Sequence, residues 1–196
     1  SAWVKIGNGG RKQSILNYGA ATQGDFALYI DDMNKAALSS GSDVVAGTTS
    51  LADGRWHFIT AVYEGPSTNL VKVYVDGLLE GMGVITTPST AAGDYTIGRF
   101  LDGTGYFNGQ LDELIVYDYA ITEDDINKYY NQDMGRVAYW KMENNWQDSS
   151  GNNKNLTASG AAFSADSKVW AGAAKFDGVD DYADAGTWFN YQTFSI

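Results

Sequence analysis

Short runs in which apolar and polar residues alternate recur along the whole chain, each closed by Gly, Asn or Asp, and a period of two fits strands rather than helices. In Val71-Lys72-Val73-Tyr74-Val75 the three valines share one face, and Asp76-Gly77 supplies the two positive-φ positions of a tight hairpin turn before Leu78 and Leu79 start the return strand. Arg55 to Tyr63 sets Trp56, Phe58 and Val62 against His57, Ile59 and Tyr63. Apolar residues on both sides predict a strand covered on both faces. Similar runs occur at Phe26 to Ile30, Tyr95 to Gly98, Leu111 to Tyr119, Val137 to Met142 and Ala173 to Phe176. The pattern predicts an all-β sandwich.

One short helix interrupts it. Thr122 is a good N-cap with Asp125 three residues on, Glu123, Asp124 and Asp125 sit where the helix dipole favours acids, and Ile121 can staple to Ile126. These acids read as capping before metal binding.

Composition removes whole classes of function. The 196 residues include 24 acidic and 13 basic side chains, a net charge of −11, which argues against a nucleic-acid partner, since a phosphate backbone needs clustered Lys and Arg. There is no cysteine, so thiolate chemistry, disulfides and Cys-ligated metals are excluded. His57 is the single histidine, which excludes a multi-His metal site, and no serine motif partners it. No run approaches the ~18 apolar residues of a spanning helix, so membrane insertion is not expected. Asn155-Leu156-Thr157 has the glycosylation pattern, a sequon short enough to arise by chance.

Both ends read as cut strands. With Ile196 set before Ser1, residues Phe194, Ile196, Ala2, Val4 and Ile6 fall on one face without a break. A slip of one residue destroys that pattern, so the two ends are expected to be halves of one strand.

Three motifs carry a family resemblance: Asp53-Gly54-Arg55-Trp56-His57-Phe58, Val71 to Gly77, and Gly109-Gln110-Leu111-Asp112-Glu113-Leu114-Ile115-Val116-Tyr117 running into Ala120-Ile121-Thr122. Ala138-Tyr139-Trp140-Lys141-Met142, Asp148-Ser149-Ser150-Gly151-Asn152 and Lys175-Phe176-Asp177-Gly178-Val179-Asp180-Asp181-Tyr182 add to them. Together they resemble the laminin-G-like, concanavalin A-like jelly-roll domains of bacterial surface and secreted proteins, in circularly permuted order. The resemblance implies that residues 1–134 are the second part of such a domain and 135–196 the first part, completing the same or a neighbouring copy. Completion of a neighbour is strand complementation, which continues head to tail. A chain that pairs both termini inside one sandwich defeats that arrangement.

Calcium is the expected cofactor, because hard cations take carboxylate and carbonyl oxygens on glycine-rich turns. The candidate ligands are Asp148 in its Asp-Ser-Ser-Gly-Asn turn, Asp177 and Asp180 in a run of three carboxylates, Asp112 by its strand position in the family, and Asp102 by analogy to a pentraxin calcium loop. Asp, Asn, Ser and Gly also make turns with no metal at all. Trp146, Trp170 and Trp188 lie in loop-like stretches and are the candidate ligand-binding platforms for a sugar or partner. A retaining glycanase needs two carboxylates ~5 Å apart. Asp112 and Asp118 share a strand face about 20 Å apart at the rise of a strand, and Glu113 is expected to point the other way. No catalytic function is expected.

The leading expectation is therefore a non-catalytic, extracellular or cell-surface adhesion and assembly module, self-associating head to tail and holding structural calcium. The alternative is a carbohydrate-binding module of a secreted enzyme or adhesin, with glycans as partners.

Overall fold

The computed structural model describes residues 1–7, 9–19, 26–88, 93–127, 129, 136–169, 171–187 and 194–195. Two antiparallel sheets face each other across an apolar core. The smaller sheet runs in the order β13 (Thr157–Ser159), β16 (Tyr182–Gly186), β9 (Asp94–Ile97), β2 (Gln13–Gly19), β3 (Phe26–Ile30), β4 (Ala36–Ser40), β5 (Asp43–Ala46). The larger is built on β6 (Trp56–Tyr63), with β7 (Leu70–Val75) and edge strand β8 (Leu78–Val84) on one side. On the other side of β6 come β1 (Ala2–Lys5) and then β10 (Asn108–Asp112), β15 (Ala173–Asp177) and β14 (Ala162–Ser164). Farther along β6, β17 (Phe194–Ser195) pairs it, followed by β11 (Leu114–Tyr117) and β12 (Arg136–Trp140). The alternation seen in sequence sets this layering. Ile59, Val71, Val73 and Val75 face inward with Trp140, Tyr95 and Leu16. Trp3, Phe58, Val62 and Tyr74 turn outward into a second apolar cluster.

That second cluster is covered by α1 (Glu123–Asn127), which buries Ile126. The helix start has the expected reciprocal cap: Asp125 N donates to Thr122 Oγ1 at 3.1 Å and Thr122 N to Asp125 Oδ2 at 2.9 Å. Among the described residues, no helix is long and apolar enough to cross a membrane.

Strands β1 and β17 lie end to end against β6. Ala2 opposes Ile59 and Ser195 opposes Val62. Three positions separate Ile59 from Val62, and three steps lead from Ser195 through Ile196 and Ser1 to Ala2, so the register runs on without slip. Ser1 and Ile115 exchange both backbone hydrogen bonds at 2.8 Å. The strand position between β6 and β11 is thus filled from within the same chain. Ala2, Val4 and Ile6 are fully buried in the core. Ile196 lies outside the described residues.

Asp76 and Gly77 turn the β7–β8 hairpin at φ 51° and 83°, as the sequence predicts. Leu111 to Tyr119 does not form one strand. Glu113 adopts φ 52° between β10 and β11 and bends the strand there. Its expected orientation is corrected by that bend: alternation breaks, and its carboxylate meets the Tyr139 hydroxyl on the same covered face as Trp3, the neighbour of Asp112.

Candidate functional site

A trough of about 360 Å³ opens on the outer face of the larger sheet. Register builds its floor. Lys5 on β1 opposes Gln110 on β10, which opposes Lys175 on β15, and directly opposite residues share a face. Asn108, Ser164 and Asp166 complete the polar lining. Gln110 Nε2 donates to Ser164 Oγ at 2.7 Å and to the Asp166 carbonyl at 2.9 Å. Lys5 pairs with the Asp166 carboxylate and holds it below the ordinary carboxylate value. Lys175 stays exposed. Gly109 lets β1 and β10 approach here, since a Cβ would lie 2.3 Å from the Lys5 carbonyl oxygen.

A second trough, of about 350 Å³, lies along β13 and β16 and is lined by Asn155, Thr157, Ser159, Tyr182 and Asp184. The Arg99 guanidinium sits 4.3 Å from the centre of the Tyr182 ring.

The expected metal ligands do not converge. Asp148 spends its carboxylate on the protein, accepting from the N–H groups of Tyr139, Ser150 and Lys154 at 2.8–2.9 Å and from the Ser150 hydroxyl at 2.9 Å. Burial would raise its pKa, but these bonds outweigh it and hold it below the usual value. Asp102 closes its own turn by accepting from Thr104 N and Oγ1 at 2.9 and 2.6 Å. Asp177 and Asp180 do come together, joined by Asp181, with one oxygen of each within 4.8 Å of the others. Asp181 is pushed up by burial and then by the two neighbouring charges. The same turn also receives Arg11, whose guanidinium donates to Gly178 O at 2.9 Å.

Asp112 lies apart from all of these, fully buried. Its Oδ2 accepts from Lys168 N and Val169 N, both at 3.2 Å. Burial raises its pKa to about 7, with the charges of Glu113 and Glu143 adding to the shift and the two backbone bonds opposing it. Sequence reasoning missed Glu143 here. It stands close to Asp112 only through tertiary packing, and no spacing announces it.

Of the tryptophans proposed as platforms, Trp146 packs against the core instead, with ring centroids 4.7 Å from Phe163 and 6.4 Å from Phe176. Its ring is held edge and face by other aromatics, which is what most aromatics in a sandwich do. Trp170 and Trp188 lie outside the described residues. His57 is held between two carboxylates, Nδ1 2.8 Å from Asp76 Oδ2 and Nε2 3.2 Å from Asp53 Oδ1.

With this geometry in place, the chain can be set beside known proteins. A comparison with curated proteins gives no match. Among solved structures it is similar to a candidate carbohydrate-binding protein from Bacteroides ovatus, with 18% identity and a TM-score of 0.58 over 90% of this chain and 50% of that one. It spans only half the length of that protein. It is also similar to the CBM40 of the Ruminococcus gnavus IT-sialidase bound to α2,3 sialyllactose, with 16% identity and a TM-score of 0.51 over 65% of this chain and 79% of that one. At these identities the likeness shows the fold. The laminin-G family model of the concanavalin A-like lectin/glucanases superfamily matches residues 1–127, and the chain belongs to that family.

Proposed function

We propose that this chain is a non-catalytic carbohydrate-binding module whose glycan site is the trough on the outer face of the larger sheet. The observation that carries the reading is the row Lys5, Gln110, Lys175, which sets ammonium, amide and ammonium side by side on adjacent strands at the floor of an open groove. Sugars are bound through such convergent hydrogen-bonding groups on a rigid surface, and a sheet fixes their spacing without ordering a loop. The kinship with carbohydrate-binding folds supports it. The same fold binds sialyllactose in the CBM40, and the exposed Lys175 ammonium offers an acidic sugar a charged contact, while Lys5 is paired with Asp166. The setting is extracellular or at the cell surface.

Chemistry in the trough argues for binding without turnover. A glycanase needs a protonated carboxyl in reach of the glycosidic oxygen. Asp166 is kept ionised by Lys5, and Asp112, whose proton is retained to about pH 7, is sealed beneath the loop at residues 168–169. Neither can serve as a general acid on a sugar in the groove.

Glycan-array screening with neutral and acidic oligosaccharides, lactose and sialyllactose among them, followed by titration calorimetry, tests this. Saturable binding that weakens at least tenfold in Gln110→Ala and Lys175→Ala is expected. Binding that ignores both changes and is lost in Tyr182→Ala moves the site to the second trough. No binding to any glycan sinks the reading.

A further inference from the structure

The second trough stands on the opposite side of the sandwich from the first. Ala183 and Ala185 of β16 belong to the core, so Tyr182 and Asp184, which alternate with them, face out from the smaller sheet. Register then sets their partners on edge strand β13. Ser159 lies opposite Tyr182 and Thr157 opposite Asp184, each pair on that same outer face. The first trough opens on the outer face of the larger sheet, so the core lies between the two.

The polar groups of this groove are not spent on one another. Asp184 Oδ1 accepts from Gly186 N at 2.8 Å, which fixes the carboxylate, and Oδ2 has no hydrogen-bond partner among the described residues. The hydroxyls of Thr157, Ser159 and Tyr182 make no hydrogen bond among the described residues either. Asn155 is positioned by Asp148, whose N–H donates to Asn155 Oδ1 at 2.9 Å, and its amide N–H groups remain for a ligand. The Tyr182 ring is held in advance. Arg99, which does not line the groove, sets its guanidinium 4.3 Å from the ring centre and donates from Nη1 to Phe100 O at 3.2 Å. A ring already fixed in this way stacks on a ligand with little further loss of side-chain freedom. Among the described residues no lysine or arginine lines the groove, and Asp184 is its one charged group.

We infer that this groove is a second glycan site, selective for a neutral sugar, with Tyr182 as its stacking face and Asp184, Thr157 and Ser159 as the partners of the sugar hydroxyls. The chemistry matches on both sides of a pyranose. Its C–H face covers an aromatic ring, while its rim of hydroxyls donates to a carboxylate and exchanges hydrogen bonds with Thr and Ser. A sugar that carries a carboxylate meets Asp184 here with no cation to answer it, whereas the first trough offers such a sugar the exposed Lys175. Two sites on opposite faces let one chain hold two glycans at once. That double occupancy rests on the reading of the first trough; the neutral site does not.

The test titrates the isotope-labelled full chain with neutral oligosaccharides, lactose and cellobiose among them, each beside a counterpart carrying a uronate, and follows backbone amide shifts by NMR. Neutral sugars should shift the amides of Thr157, Ser159 and Asp184 saturably, and the uronate forms should bind there at least tenfold more weakly. Tyr182→Ala and Asp184→Ala should each weaken binding at these amides at least tenfold, while Tyr182→Phe, which keeps the ring, stays within threefold of the wild type. Asp184→Asn retains an acceptor for Gly186 N and should narrow the gap between neutral and acidic sugars. If Tyr182→Ala does not fold, that narrowing decides. Shifts confined to Lys5, Gln110 and Lys175 overturn this site and leave the first trough standing. Shifts confined to β13 and β16 support this site and overturn the first. Equal binding of neutral and uronate forms at β13 and β16, or no shift there with any neutral sugar, overturns the inference.

Discussion

At Asp148 a single side chain holds the turn that follows β12. Its two oxygens satisfy three backbone N–H groups and one hydroxyl, and removing them leaves those donors without their partner. Asp148→Ala is expected to cost about 2–3 kcal/mol by urea denaturation, a partly exposed site keeping it from costing more. Its calcium response should equal that of the wild type. The depressed pKa also sets a pH window: this stabilisation is present above the ordinary value of 3.8 and is lost as pH falls through the lower folded value. His57 works in the opposite direction. Burial alone would lower its pKa, but the carboxylates of Asp76 and Asp53 outweigh burial and raise it, with Arg55 the nearby cation on Asp53. Its contribution is therefore complete below the ordinary value of 6.5 and is lost as pH rises through the folded value. Asp76→Asn keeps a residue that tolerates φ 51° in the hairpin turn and removes the charge. Thermal melts should then fall less between pH 6 and pH 8 in that variant than in the wild type. Equal slopes would show that the imidazole is not charged in the fold. The turn role of Asp76 was legible from Asp-Gly between alternating runs. Its bonds to His57 Nδ1 and Phe58 N were not, since they cross from one strand to the next.

Elements meet across the sandwich in ways that local pattern does not announce. Glu80 is the extra residue where β8 slips against β7, and its carboxylate accepts from Thr48 N and Thr49 N at 2.8 and 2.9 Å and from Thr49 Oγ1 at 2.5 Å. This bond set ties the edge of the larger sheet to the loop after β5. Glu80→Ala should cost about 1–3 kcal/mol, and amide exchange at Thr48 and Thr49 should speed up while the centre of β6 stays protected. The same edge strand exposes Leu78, Met82 and Val84, each more than three-fifths accessible. An apolar open edge invites intermolecular pairing. Met82→Lys and Val84→Lys should change stability by less than about 0.5 kcal/mol and should raise the concentration at which light scattering detects aggregation. The strands themselves, and the Thr122 cap, follow from period and capping chemistry that a sequence displays directly. The bend at Glu113 does not, because a left-handed glutamate inside an alternating run looks like any other strand residue.

For the molecule as a whole, the register of β1 and β17 on β6 predicts a single-chain species. The slot that a second copy would fill is occupied from within the same chain. Size exclusion with light scattering should give one species near 21.2 kDa in calcium and in chelator. A ladder of masses that collapses in chelator would show instead that the strand is exchanged between copies. The net charge of −11 adds repulsion between chains and favours the single species at low salt.

What the amino-acid order determines by itself is local and periodic. Alternation defined the strands and their buried faces, Asp-Gly and Thr-x-x-Asp defined a turn and a helix start, and the continuity of apolar positions from Phe194 to Ile6 set out a split strand before its partners were known. Each of these depends on neighbours within a few residues, or on a parity that survives any distance. Tertiary structure alone decided which polar groups meet. The row Lys5, Gln110, Lys175 exists because β1, β10 and β15 become neighbours in one register, though they are drawn from both ends and the middle of the chain. Asp112 and Glu143 accept from backbone groups of one loop because tertiary packing brings them there. Long-range pairing of this kind is set by packing of whole sheets, and the identities of the residues it joins leave no mark on their local sequence.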